Sequence, residues 1–362
     1  MNRVKVIIAI GGTGGHVFPG CNLAEHLIEN NYKVSLVADK RGYKFLNNFK
    51  NLDVTVIPST PISKNNIISQ FFSLSIVFYS IVRSLFFLIF NRPVIVFGMG
   101  GYAAFPICIA AKILRIRFVI YENNLLIGKA NRFLLPFSEK ILVSNKELEG
   151  IEDKYKDKII EIGNIIKKEI INFSKDYKGN SEELKILVLG GSQAAEVFAD
   201  TLPEIFKKCL REGIKLRVYQ HCLPSQNRKL ELFYRETKIN FETFNFSNNL
   251  TDYFSKVDIA ITRSGSSILA ELVNAKIPFI SVPLPSSADN HQLKNANYYK
   301  RKNLAFLVEE KDLNKKLLNL IKDIFQNSSE FEQIKKNQRQ YSDKNVYENI
   351  DIILKKIIDE KN

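Results

Sequence analysis

Val6-Ile7-Ile8-Ala9-Ile10-Gly11-Gly12-Thr13-Gly14-Gly15-His16 is the stretch on which the fold turns. Five apolar residues run into a glycine-rich turn, and after Pro19-Gly20 an amphipathic stretch occupies residues 21–29. A strand that is apolar on both faces has to be covered on both, the condition of a parallel sheet carrying helices on each side. The glycines permit a tight turn, and the N–H groups of the helix they open point at whatever binds there. Such a turn suits a phosphate.

Moving outward, short Val- and Ile-rich runs at 4–10, 33–38, 54–57, 94–97, 118–121 and 141–143 alternate with longer helical stretches. Strands separated by helices imply right-handed crossovers. A polar, lysine-rich stretch at 167–183 breaks the pattern, and Gly179-Asn180-Ser181 near its end marks a hinge. The pattern then restarts at 185–189 and continues at 216–219, 240–244, 258–262, 278–282 and 304–308. Ile186-Leu187-Val188-Leu189-Gly190-Gly191-Ser192 repeats the opening motif, from strand to Gly-Gly-hydroxyl turn to helix. Two Rossmann-like parallel-sheet domains facing a cleft are expected: 1–163, then 164–340, with a helix in 341–362 returning to the first. A chain of 362 residues is long enough for two cores.

The turn at 11–16 also has a dinucleotide-binding reading, with Asp39 near the place of a ribose-binding acid. The fingerprint fails: with Gly12 and Gly14 as the first two glycines, Val17 takes the third position. A dehydrogenase also leaves the second nucleotide-binding half unexplained. His16, at the rim of the turn, can accept a hydroxyl proton or, as imidazolium, stabilise a phosphate; a purely structural cap is the competing use.

Further turns follow other strands. Gly98-Met99-Gly100-Gly101-Tyr102 opens a helix in the first half, and Tyr121-Glu122-Asn123-Asn124 ends a strand at the same edge. In the second half, Gly190-Gly191-Ser192-Gln193 repeats the anion-site logic with the Ser192 hydroxyl as an added donor. The run 258–262 ends in Arg263-Ser264-Gly265, and Glu271 lies one to two turns into the next helix. A carboxylate there can accept both hydroxyls of a ribose, or simply occupy a solvated helix face. Asp289-Asn290-His291-Gln292 and Asn295 offer amide groups suited to sugar hydroxyls, with N-capping by Asp289 or Asn290 as the alternative.

A formal net charge of +14 favours an anionic partner, although the chain's heavy use of Lys, Asn, Ile and Phe accounts for part of it. No RNA-binding signature stands out, which places nucleic acid low. Cys21, Cys108, Cys209 and Cys222 form no C-x-x-C pair and read as reduced core residues. Met1-Asn2-Arg3 leads straight into the first strand without room for a cleaved signal peptide, so a cytoplasmic compartment is expected. No Asp-x-Asp and no metal-ligand spacing occurs in the sequence, so the motifs require no metal and no cofactor.

Together, Gly11-Gly12-Thr13-Gly14-Gly15-His16-Val17-Phe18-Pro19-Gly20, Gly98 to Tyr102, Glu122-Asn123-Asn124, Gly190 to Gln193, Arg263-Ser264-Gly265, Glu271 and Asn290-His291-Gln292 resemble the MurG family. Those are peptidoglycan N-acetylglucosaminyltransferases with a two-domain GT-B fold. The likeness covers nearly the whole chain. It implies an inverting transfer of N-acetylglucosamine from UDP to the C4 hydroxyl of the muramoyl residue in undecaprenyl-pyrophosphoryl-muramoyl-pentapeptide, giving lipid II.

By position, the resemblance implies a donor site of Thr13, Gly14, Gly15, Asn124, Lys167, Ser192, Phe246, Ser247, Arg263, Gly265, Glu271, His291 and Gln292. Within it Glu271 would hold the ribose, Ser192 the phosphate, Asn124, His291 and Gln292 the sugar, and Phe246-Ser247 the uracil. The acceptor phosphates would lie at Gly14, Gly15, His16, Gly100, Gly101 and Tyr102. His16 and Glu122 are both possible catalytic bases. Three positions depart from the family: the run Gly163-Asn164-Ile165-Ile166-Lys167 has Ile and Lys where Pro and Arg are usual, the Lys losing a bidentate fork, and Ala194 stands where Gly is common.

Across residues 71–90, fifteen of twenty residues are apolar and only Arg83 is charged, a composition compatible with a transmembrane span. A spanning helix would put the first three strands across a bilayer from the turn at 98–102, and one sheet could not form. The stretch is therefore expected to be a crossover helix that docks on an anionic membrane surface through Phe71, Phe72, Phe78, Ile81 and Leu85, with Lys64, Arg83 and Arg92 near head groups. A peripheral enzyme on the cytoplasmic face of the plasma (inner) membrane follows. Other readings are a different GT-B lipid glycosyltransferase, a UDP-N-acetylglucosamine 2-epimerase without need of the apolar helix, and a non-catalytic accessory protein that binds UDP and turns nothing over.

Overall fold

Val6 to Ile10 are all buried, and the strand they form has a parallel neighbour on each side. The structure, a computed structural model, describes residues 3–46, 49, 52–60, 66–173, 182–191, 195–245, 247, 249–326 and 328–360. The chain divides into two units, 1–167 with 343–362, and 168–342. These divisions fall four residues later than expected at the first boundary and two later at the second.

In the first unit the strands are β1 (Lys5–Ile10), β2 (Lys33–Ala38), β3 (Asp53–Val56), β4 (Ile95–Gly98), β5 (Arg117–Glu122), β6 (Ile141–Val143) and β7 (Ile159–Glu161). They form one all-parallel sheet in the order β3-β2-β1-β4-β5-β6-β7. The seventh strand was not expected. It is three half-exposed or exposed residues at a sheet edge, too short to show a hydrophobic pattern. The helices are α1 (Gly14–Glu29), α2 (Lys40–Tyr43), α3 (Ile67–Asn91), α4 (Gly101–Ile113) and α5 (Lys129–Leu134). The chain winds from β1 outward to β3, returns through α3, and continues on the other side of β1. That reversal opens a crevice at the carboxyl ends of β1 and β4, where open α/β sheets bind ligands.

The second unit repeats the plan. It contains α6 (Lys168–Ile171), β8 (Leu184–Leu189), α7 (Glu196–Arg211), β9 (Leu216–His221), α8 (Pro224–Glu236), β10 (Asn240–Phe244), α9 (Thr251–Phe254), β11 (Ile259–Arg263), α10 (Ser266–Asn274), β12 (Phe279–Val282), α11 (His291–Arg301), β13 (Phe306–Leu307), α12 (Leu313–Phe325) and α13 (Ser329–Gln340). Its sheet is parallel throughout, in the order β10-β9-β8-β11-β12-β13. Its reversal lies between β8 and β11.

The closing helix, α14 (Val346–Asp359), belongs to the first unit. Val346, Ile350, Leu354 and Ile357 recur on one buried face, each worth about 1.5–3 kcal/mol when removed from water. Polar contacts fix its entry. The Asn164 amide and side chain donate to Asp343 at 3.1 and 3.0 Å, and the Tyr347 hydroxyl donates to the Ile166 carbonyl at 2.7 Å.

Helix α3 is long and apolar enough to cross a membrane, but β3 and β4 at its two ends lie in the same sheet. It is a crossover, and its polarity is inverted. Ser73, Ser80, Ser84 and Leu88 are its buried residues, whereas Ile67, Ile68, Phe71, Phe72, Phe78, Phe86 and Phe90 are exposed. The serine hydroxyls donate to carbonyls, Ser80 to Pro58 at 2.5 Å and Ser84 to Ser80 at 2.7 Å, so burying them leaves no hydroxyl unbonded. Ile81 and Leu85, expected on the outer face, are half-buried, and Leu85 packs on the core; Tyr79, Phe86 and Phe90 are the exposed aromatics in their place. Lys64 lies outside the described residues.

Candidate active site

The carboxyl edge of the first sheet gathers three turns. Thr13 stands at the N-cap of α1, and its carbonyl accepts from the His16 and Val17 amides at 3.1 and 3.2 Å. A threonine there ordinarily gives its hydroxyl to a helix amide, yet this side chain is exposed and makes no capping bond. Its hydroxyl is left at the crevice with the first-turn amides of Gly14 and Gly15, which have no partner within a helix.

The turn after β4 meets it. Gly100 and Gly101 open α4 with φ of +92° and +72°, a conformation that favours glycine. A Cβ on Gly100 would stand 2.9 Å from Nδ1 and Cε1 of His16, so the imidazole rests directly on that turn. Tyr102 follows, partly exposed. The turn after β5 is tied to the same place, because the Asn123 side-chain amide donates to the Gly15 carbonyl at 2.8 Å.

Asp39, once a possible ribose acid, is committed elsewhere. Its buried carboxylate accepts from the Gly12 amide at 3.0 Å, the Gly42 amide at 2.7 Å and the Ser59 hydroxyl at 3.0 Å, and pairs with Arg41. Burial works against its ionisation, but the two amides, the hydroxyl and the Arg41 charge outweigh it and hold the pKa below the ordinary value. It anchors the glycine turn.

Glu122 has a similar environment. It is 1% exposed, and its two oxygens accept from the Asn124 amide and side chain at 3.1 and 3.0 Å, from the Gly128 amide at 2.9 Å and from the Asn131 side chain at 3.0 Å. With every acceptor direction occupied, this carboxylate organises the turn after β5; His16 is the half-exposed base candidate. Asn124 donates its side-chain amide to Glu122 at 3.0 Å and to Asn123 at 3.2 Å.

In the second unit, Gly191 turns with φ of +77° after β8, while Ser192, Gln193 and Ala194 lie outside the described residues, as does Phe246. Ser247 is partly exposed beside it, its hydroxyl bonded locally to Asn249. At β11, Arg263 is engaged by its own domain. It is buried, paired with Glu310 at 2.5 Å, donating to the Val282 and Pro283 carbonyls and lying 4.9 Å from the Phe198 ring. It braces the turns after β11 and β12.

Gln292 links those same turns: its side-chain oxygen accepts from the Ser264 and Leu284 amides at 3.1 and 3.0 Å. The His291 Nδ1 donates to the Ala288 carbonyl at 2.8 Å, leaving Nε2 as the acceptor of the neutral ring. Asn290 holds the N-cap place of α11 without a side-chain capping bond, and it and Asp289 have φ of +54° and +51°. Gly265 is the N-cap of α10, Glu271 is half-buried in its second turn, and Lys167 is half-buried just before α6. Sequence reasoning missed Asn123, Asn131 and Arg41; only Asn123, inside the Glu122-Asn123-Asn124 run, carried a visible signal.

Two Rossmann-like parallel-sheet domains, each with a glycine turn at its sheet reversal, define the GT-B architecture. Residues 6–143 match the glycosyltransferase family 28 N-terminal domain and residues 185–350 its C-terminal domain. A relative from Pelagibacter ubique, a UDP-N-acetylglucosamine--N-acetylmuramyl-(pentapeptide) pyrophosphoryl-undecaprenol N-acetylglucosamine transferase, is 33% identical over 99% of this chain and 100% of its own. The chain belongs to that family of transferases, the MurG family. The crystal structure of Acinetobacter baumannii MurG shares the fold, with a TM-score of 0.78 at 22% identity over 98% of this chain and 99% of that one. A UDP-N-acetylglucosamine 2-epimerase structure is similar at a TM-score of 0.64 and 13% identity, over 96% and 95%; the architecture is common to both activities.

Proposed function

We propose that the chain transfers N-acetylglucosamine from UDP-N-acetylglucosamine to the C4 hydroxyl of the muramoyl residue in undecaprenyl-pyrophosphoryl-muramoyl-pentapeptide, yielding lipid II and UDP. The observation that carries this reading is His16 set on the Gly100-Gly101 turn, a base beside two anion-type turns. The acceptor diphosphate lies along Gly14, Gly15, Gly100, Gly101 and Tyr102. His16 takes the proton of the C4 hydroxyl as its oxygen attacks the anomeric carbon, and the bond from that carbon to the UDP oxygen breaks. The electron pair leaves on the diphosphate, which the glycine turn after β8 and the Ser192 hydroxyl stabilise as hydrogen-bond donors. Glu271 accepts from the ribose, Phe246 and Ser247 meet the uracil, and Gln292, His291 and Asn124 orient the sugar, with Lys167 and Gly265 at the edge of the donor.

N–H donors of the glycine turns supply the anion stabilisation in this reading, so it includes metal independence. The enzyme works peripherally on the cytoplasmic face of the plasma membrane, its α3 aromatic face in the interface and Arg83 and Arg92 near acidic head groups. The test is incubation of purified protein with labelled UDP-sugars and vesicles containing the polyprenyl-linked acceptor, with and without a chelator. The reading expects label from UDP-N-acetylglucosamine alone to reach the lipid in both arms. Epimerised donor without lipid product would favour the epimerase reading.

A further inference from the structure

Arg41 stands at the same carboxyl edge, in the single turn of α2. We propose that Arg41 is a diphosphate-binding residue of the acceptor site; this rests on the reading that the acceptor is joined through a diphosphate. Its guanidinium carbon lies 6.0 Å from the centre of the Tyr102 ring, and a Cβ on Gly12 would stand 4.0 Å from its Nη2. The side chain therefore reaches both glycine turns. It is also held there, since Nε and Nη2 donate to the Asp39 carboxylate at 3.4 and 3.3 Å, and that same carboxylate grips the Gly12 amide.

Asp39 occupies two of the five N–H donors of the guanidinium, and the Arg41 side chain is 53% exposed. Charge balance favours an anion there. Asp39 shares its negative charge among two amides, a hydroxyl and Arg41, while the glycine turns offer a diphosphate only neutral dipoles. The planar fork of an arginine matches phosphate oxygens two at a time. The anchor thus fixes the turn and the cation as one piece, which presents both to the same ligand.

The experiment compares the full-length wild type with Arg41→Ala and Arg41→Lys, each checked for an unchanged melting temperature. Inorganic pyrophosphate is titrated calorimetrically with UDP present at saturation, so that the donor site is filled, and KM is measured separately for acceptor and donor. The expected result is a rise of about tenfold or more in pyrophosphate Kd and acceptor KM for Arg41→Ala, with donor KM unchanged and partial recovery in Arg41→Lys. Pyrophosphate binding within twofold of wild type, no pyrophosphate binding by the wild type, or a parallel rise of both KM values would overturn it. A protein that bound pyrophosphate through Arg41 but transferred no sugar would refute the proposed function and leave the Arg41 assignment standing.

Discussion

His16 owes its position to a neighbour without a side chain. A Cβ on Gly100 would strike the imidazole, so the pairing of base and turn depends on a glycine held at positive φ. Replacing His16 with Ala is expected to lower turnover by ~100-fold or more, the scale of lost general-base help; near-normal transfer by that variant would remove His16 from the role. Asp39 gives a pH prediction. Because its pKa is lowered on folding, its stabilisation is fully present above the unfolded value near 3.8 and is lost as pH falls through the folded value. Asp39→Asn should cost about 1–3 kcal/mol near neutrality, and its deficit against wild type should shrink below pH ~4. Urea denaturation across that range is the measurement, and a constant deficit would show that the charge is not what anchors the turn. The glycine turns and His16 were legible because glycine and histidine announce their roles in sequence. Glu122 and Arg263 were readable as motif members but not as buried anchors, since their partners Gly128, Asn131 and Glu310 are set by tertiary packing.

At the scale of elements, α3 shows where periodicity fails. A helix apolar nearly all round has no face that sequence can choose, and the deciding residues are its serines. Ser80 and Ser84 are fully buried because a hydroxyl bonded back to its own helix occupies little space and allows close packing. Two changes separate the faces. Phe71→Ser with Phe72→Ser should move the protein from sedimenting vesicles to the supernatant with its melting temperature intact. Ser84→Leu should leave vesicle binding alone and destabilise the fold by about 1–3 kcal/mol through overpacking. Unchanged sedimentation of the first variant would refute the docking role of α3. Most strands of both sheets were legible from short runs rich in apolar residues; β7 was not, because its three edge residues are not buried.

For the whole molecule, the repeated plan was visible in the two strand-to-Gly-Gly turns. Each unit places its sheet reversal beside one of those turns, which divides the proposed chemistry between an acceptor site with His16 and a donor site around Gln292 and Glu271. The net charge of +14 suits both the anionic substrates and the membrane that presents one of them. In the proposed reaction the base-activated muramoyl hydroxyl makes a single displacement at the anomeric carbon. This displacement is tested most directly by NMR of the disaccharide released from the lipid product. One product is expected, an inverted, β-configured linkage to the muramoyl C4. Retention of the donor's α configuration, or linkage to another hydroxyl, would contradict it.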